Sequence, residues 1–215
     1  MSSPASTSLH LSKHRIEALV DGIFAVAMTL LVIDLRLPEQ VHAGTEADLR
    51  LALLHLLPNF YSWLVSFLVL ALFWVANHRL YSHVHHVDTP LVWYTIMMLG
   101  GASLLPFASA VNSQFASSLA QSVYALVMVL MGLGSLLVAN HVYRHPALCA
   151  HPMDKEAYRS ACVRTLGLIL TAILTIPLAM HFPGSANSAF FLLFILRPLD
   201  SALARRFRPT APVAS

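Results

Sequence analysis

The stretch RIEALVDGIFAVAMTLLVID, residues 15–34, decides what kind of protein this is. From Ile23 to Ile33 it is apolar apart from Thr29, and with its flanks it reaches the roughly 20 residues a helix needs to cross a hydrocarbon core. Yet Arg15, Glu17 and Asp21 lie in its first third, and Asp34 closes it. An ionised carboxylate near mid-helix costs roughly 2.5–3.5 kcal/mol on insertion scales, so Asp21 is expected to meet a partner or water and not lipid. On a helix, Val26, Leu30 and Ile33 share one stripe with Thr29 at its edge. Repeated around a symmetry axis, that stripe makes stacked apolar rings under an acidic ring of Asp34. Such rings gate by dewetting, and an acidic mouth concentrates cations. The same spacing serves ordinary packing between helices, and periodicity by itself favours packing.

Working outward, the 215-residue chain is 57% hydrophobic and only 11% charged. Its mean hydropathy of +0.69 excludes an ordinary soluble domain. Apolar stretches occur at about 16–36, 51–78, 91–111, 119–141 and 161–181, with a shorter sixth at 187–203 that Arg197 and Asp200 interrupt. The second is read as one helix, because no polar turn lies between Leu51 and Ala76 and Pro58 falls in its first turns. Pro106 and Pro177 are expected to be local kinks. With six spans, all of the 13 basic residues except Arg36 and Arg50 collect on one side, which the positive-inside rule makes cytoplasmic. Both termini then lie in the cytoplasm of a multi-pass cell-membrane protein. The first span is too long and too polar for a signal peptide and is expected to be retained. Cys149 and Cys162 fall at the cytoplasmic loop, so no disulfide is expected. The sequence pI near 9.1 suits flanks that meet anionic headgroups, and no nucleic-acid partner is needed to explain it.

Residues 1–14 and 207–215 are expected to be disordered cytoplasmic flanks around a six-helix domain at 15–206. Short outer turns are expected at 112–118 and 182–186, and the largest cytoplasmic loop at about 142–160. Gly100, Gly101, Gly132 and Gly134 read as positions of close helix approach. No inverted repeat is evident, since Pro106 and Pro177 do not fall at matching positions in the two halves.

The run from Arg15 to Leu35 resembles the signature first helix of the transmembrane-protein-175 family, the endolysosomal potassium channel and its bacterial relatives. That family shows Arg, then Phe-Ser-Asp-Gly, then an Ala-rich segment ending in Thr-Leu-Leu-Val and an acid. Arg15, Asp21-Gly22 and Ala25 through Asp34 follow it here. Ser66-Phe67, Phe73-Trp74 with His78, and Leu104-Leu105-Pro106-Phe107 resemble the family's second and third helices. The chain departs from the pattern at Leu19-Val20, which replaces Phe-Ser, at Asn77 before His78, and at Thr95, where an Asn is usual nearby.

The resemblance implies a potassium-preferring channel, a homotetramer in bacterial relatives, whose first helix lines the pore without a carbonyl filter. By position, Val26, Leu30 and Ile33 would form the constriction, with Thr29 and Asp34 as adjacent polar groups. Arg15, Asp21, Trp74 and His78 would form a polar network bracing the helix, with Asp21 paired to Arg15 or His78 and the Trp74 NH donating to the same cluster.

Two other functions compete. A small-solute or proton-coupled secondary transporter would need polar groups at midplane, where these spans offer mainly Ser, Thr and Gly. A metal-dependent membrane enzyme could draw on the 12 histidines, among them His83, His85, His86, and His141 with His145. Membrane metal sites use stricter histidine patterns with more carboxylates than Asp88 and Asp154 supply. No nucleophile is recognisably paired with a base and an acid. The expectation is therefore an all-α, six-helix polytopic membrane protein with the first helix lining a central pore. It is not an enzyme, has no cofactor or metal, and has potassium ions, the lipid bilayer and copies of itself as partners.

Overall fold

The computed structural model describes residues 12–36, 45–115 and 117–181, all helix and connecting turns apart from one isolated bridge between Val84 and Cys149. Helix α1 spans Lys13–Leu30 and continues as a 3₁₀ turn over Leu31–Asp34. It is followed by α2 (Glu46–His55), α3 (Leu57–Tyr81), α4 (Thr89–Gln114), α5 (Ser118–Arg144) and α6 (Lys155–His181). Five of these, α1 with its 3₁₀ turn and α3 to α6, are long and apolar enough to cross a membrane. The predicted sixth span, 187–203, lies outside the described residues, as do residues 1–11 of the N-terminal flank and the tail from 207.

Local chemistry sets the helix starts. The Asp88 carboxylate accepts from the Leu91 N–H at 3.1 Å, Ser117 Oγ accepts from Ala120 N–H at 3.2 Å, and Asp154 accepts from Ala157 N–H at 2.6 Å. Each satisfies a donor that the first turn leaves open. The first helix opens at Lys13, two residues before the expected boundary, and the loop between α5 and α6 is shorter than the expected 142–160 because both helices run further.

The expected single helix over 51–78 is corrected. Residues 51–55 belong to the separate short helix α2, and the chain breaks at Leu56. Pro58 explains the break: it brings no N–H to the Leu54 carbonyl and its ring crowds that carbonyl, so the helix restarts with Pro58 in its first turn. One membrane-crossing helix, α3, remains, as the span count requires. The α4 and α6 helices continue through Pro106 and Pro177.

The most extensive seam joins α4 to α5, and α5 to α6 is next. Two glycines make the first seam close. A Cβ on Gly101 would lie 2.8 Å from the Met131 backbone N, and a Cβ on Gly134 would lie 2.5 Å from the Met98 backbone N. Met98 and Gly101 are one turn apart on α4, as are Met131 and Gly134 on α5, so each helix seats its backbone in the other's notch. Gly132 plays the same part against Ile169 of α6. A Cβ on Gly100 would have nothing within 4 Å among the described residues, so no close approach is seen there.

Between these contacts lie buried polar links. Ser66 Oγ donates to Ser109 Oγ at 2.9 Å and lies 3.2 Å from the Tyr124 hydroxyl, joining α3, α4 and α5. Gln121 Nε2 donates to Thr175 Oγ1 at 2.7 Å between α5 and α6. In an apolar surrounding such groups hold position because separation would leave them unpaired.

Candidate functional site

Helix α1 sits at the edge of this bundle, packed on α3 and α4. Ile16, Val20, Phe24 and Ala27 form its buried face, and Leu31 continues it into the 3₁₀ turn. The spacing of three and four residues is that of one helical stripe. To the side of that face, Val26, Leu30 and Ile33 are 56%, 42% and 46% exposed. The 3₁₀ turn brings residues three apart into register, which keeps Ile33 in line with Leu30 after the α-helix ends. Thr29 is exposed beside them and donates its hydroxyl hydrogen to the Val26 carbonyl at 2.9 Å, leaving its oxygen lone pairs facing outward. Asp34 is half-buried at the far end, makes no hydrogen bond or close ion pair among the described residues, and feels the charge of Arg36 two residues on. A shallow apolar groove of about 370 Å³ runs along this side of α1, bounded by Leu19, Val26, Leu30 and Ser103.

At the other end of α1 the Trp74 indole N–H donates to Asp21 Oδ1 at 2.8 Å, joining α1 to α3. His78, one turn along α3, stacks on the Trp74 ring with centroids 6.0 Å apart. These three residues and Glu17, Asn77 and Tyr81 surround a cavity of about 340 Å³. Glu17 lies 3.5 Å from both Lys13 Nζ and His14 Nδ1.

The expected pairing of Asp21 with Arg15 or His78 is not what the structure contains. No hydrogen bond or ion pair joins Asp21 to either among the described residues, and Arg15 is exposed. Six residues apart on a helix, Arg15 and Asp21 point to different faces, whereas Trp74 projects from α3 directly at the carboxylate.

Of the departures from the family pattern, Leu19-Val20 lies on α1, while Asn77 and Thr95 fall on the seam between α3 and α4. Asn77 Nδ2 contacts Met98 Sδ at 3.7 Å, while its Oδ1 is buried with no partner among the described residues. The Tyr81 hydroxyl lies 2.6 Å from Thr95 Oγ1, which in turn donates to the Leu91 carbonyl at 2.8 Å. One level further, His141 Nε2 lies 2.8 Å from the helix-capping Asp88. Sequence reasoning missed this last link, although Asp88 and the His141–His145 pair had each been noticed. Among the described residues, no group of three His, Cys, Asp or Glu is arranged to hold a metal ion. His85 and His86 contact each other at 2.9 Å instead.

Comparison with known proteins agrees with this geometry. The family model described as the endosomal/lysosomal potassium channel TMEM175 matches residues 15–106, which cover α1 to most of α4. A potassium channel of Streptomyces collinus is 33% identical over 182 residues, 79% of this chain and 87% of that protein. The chain belongs to the TMEM175 family. A potassium channel of Chamaesiphon minutus is 30% identical over 149 residues, 67% of this chain and 71% of its own length. The Rattus norvegicus endosomal/lysosomal proton channel TMEM175 is 34% identical over 120 residues, and the match spans 24% of that longer protein. The fold is that of a solved family member, the crystal structure of a lysosomal potassium-selective channel TMEM175 homologue from Chamaesiphon minutus. The two superpose with a TM-score of 0.72 at 24% identity, over 88% of this chain and 97% of that one.

Proposed function

We propose that this protein is a potassium-preferring cation channel of the cell membrane, a homotetramer with α1 from each chain around a central pore. The observation that carries the proposal is the exposed aliphatic stripe on α1, Val26, Leu30 and Ile33, lying beside that helix's buried face. Side chains of this size around a narrow axis exclude bulk water and form a hydrophobic constriction. Thr29 supplies an oxygen to a partly hydrated ion, and Asp34 stands at the outer mouth. The polar link from Asp21 to Trp74, with His78 stacked on the indole, braces α1 against α3. The distribution of Lys and Arg supports two cytoplasmic termini. The relatives named potassium channels support the choice of ion. No catalytic step is assigned to any residue.

Single-channel recording from purified protein in planar bilayers under a potassium-to-sodium gradient tests this reading. Discrete steps reversing towards the potassium potential are expected, with larger conductance and weaker discrimination in Leu30→Ala. A proton gradient in the same bilayers separates potassium current from the proton current named for the mammalian relatives. Saturating, substrate-tied flux without steps would replace the channel by a transporter.

A further inference from the structure

The seam between α5 and α6 is open along one side, far from α1, where the two helices leave a groove of about 670 Å³. Its walls change character along the helix axes. At one end Leu133 and Leu137 of α5 face Val163 and Leu166 of α6, and all four are exposed or partly so. At the other end, Asn140 and Tyr143 face Lys155 and Arg159. The two ends meet at an aromatic pair, Tyr143 and Tyr158, stacked at 4.3 Å, with the Tyr158 hydroxyl donating to Asn140 Oδ1 at 3.4 Å. Aromatic rings with a polar tip are the side chains that settle at the headgroup level of a bilayer.

The cations at the polar end lack an anion. Lys155 and Arg159 are four residues apart on one helix face, a spacing at which like charges repel. Neither makes an ion pair among the described residues. Two acids flank Lys155: Asp154 is committed to the start of α6 through the Ala157 N–H, and Glu156, in the first turn of α6, makes no ion pair among the described residues and does not line the groove. We propose that this groove binds an anionic phospholipid, its phosphate between Lys155 and Arg159 and an acyl chain along the leucine walls.

Charge selects this occupant. A small soluble anion would satisfy the cations and leave the apolar length of the groove unexplained, and a zwitterionic lipid would bring its own cation to Lys155 and Arg159. The predicted sixth span and its flank carry four cations, Arg197, Arg205, Arg206 and Arg208, towards the same side of the membrane against one acid, Asp200, so their net contribution would be like charge. Basic pockets between membrane helices are the sites at which anionic headgroups are held.

Native mass spectrometry of the full-length protein, released from mixed micelles containing phosphatidylglycerol or phosphatidylcholine, tests the site. Wild type is expected to retain phosphatidylglycerol over phosphatidylcholine. The double substitution Lys155→Gln with Arg159→Gln should weaken that retention about thirty-fold, about fivefold for each cation near the surface. Lys13→Gln, a cation of the same membrane side on α1, should leave it unchanged. A second readout does not depend on the charge variant: Cys162 lines the groove. In a Cys149→Ser background, phosphatidylglycerol in phosphatidylcholine vesicles should slow maleimide labelling of Cys162. Equal retention of phosphatidylglycerol by the double variant would overturn the proposal. So would Cys162 labelling that ignores lipid composition, and a Cys162 closed to the reagent in both vesicles would assign the groove to the sixth span or to a second copy.

Discussion

Gly134→Ala is expected to destabilise the bundle, whereas Gly100→Ala, on the facing helix, is expected to stabilise it. Both positions lie inside long helices, where replacing Gly with Ala favours the helix by about 1 kcal/mol. At Gly100 nothing among the described residues lies within 4 Å of the new methyl, so this gain stands alone. At Gly134 the methyl would lie 2.5 Å from Met98 N and 2.7 Å from Met98 Cα. Ordinary carbon contacts are ~3.5–4 Å, so the two backbones must separate by about 1 Å. Backbone atoms cannot swing aside as a side chain would, which puts the cost near the upper end of the ~1–3 kcal/mol typical of overpacking. The net loss is about 2 kcal/mol. The Gly101→Ala, Gly134→Ala double variant should lose less than the sum of its singles, because one opening of the seam relieves both clashes. Thermal unfolding of the detergent-purified protein, followed by tryptophan fluorescence, reads the signs directly. A Gly134→Ala protein that melts at or above wild type would show that the α4 and α5 backbones do not meet there, and the packing argument would fail.

Trp74→Phe keeps the ring but removes the N–H that reaches Asp21, and should cost about 1.5 kcal/mol, the low end for a hydrogen bond to a charged group at this exposed site. Reduced tetramer survival in detergent with ion preference preserved is the expected readout; lost preference with intact assembly would place the pair in the ion path. Asp34→Asn should lower potassium conductance in dilute salt and converge on wild type at ~1 M, where the Debye length falls to ~3 Å; an equal deficit at both would rule out a charge effect. Burial pushes the Cys149 thiol above its ordinary range, so less of it is thiolate at neutral pH. Its alkylation should lag behind that of a free cysteine and catch up as pH rises, as a rate profile from pH 7 to 10 would show.

Hydropathy and the distribution of basic residues made the spans legible, because a membrane demands length and apolarity from each helix separately. Gly101, Gly132 and Gly134 were legible as close-approach positions for a related reason: small residues are the means by which membrane helices come together. Gly100 looked the same in sequence and differs in facing no neighbour among the described residues, which depends on the rotation of α4. The break at Leu56 was hidden because leucines lie on both sides of it with only His55 between them, and the Leu54 carbonyl opposite Pro58 reveals it. Asp21 was expected to need a partner and the Trp74 N–H to donate to its cluster, as it does; that neither Arg15 nor His78 shares the carboxylate depends on how α1 and α3 are rotated. The Ser66–Ser109–Tyr124 and Asp88–His141 links join residues far apart in sequence, and no periodicity carries such information.

The direction in which the α1 stripe faces is set by its polar residues. Apolar side chains gain little by leaving lipid for one another, so Val26, Leu30 and Ile33 would be as comfortable against acyl chains as around an axis. Two polar features bear on that choice. Asp21 is tied to Trp74 on α3, which fixes the rotation of α1 about its own axis relative to the bundle. Thr29 opens lone pairs beside the stripe, after its hydrogen is spent on the Val26 carbonyl. Asp34 does not share the stripe: three residues after the buried Leu31 in the 3₁₀ turn, it continues the side of α1 that packs on the bundle, and it marks the end of the span, where a charged group meets water at least cost. In the proposed tetramer, turning the stripe to the axis would set the Thr29 oxygen beside the ion and leave Val26, Leu30 and Ile33 to make that axis narrow and dry.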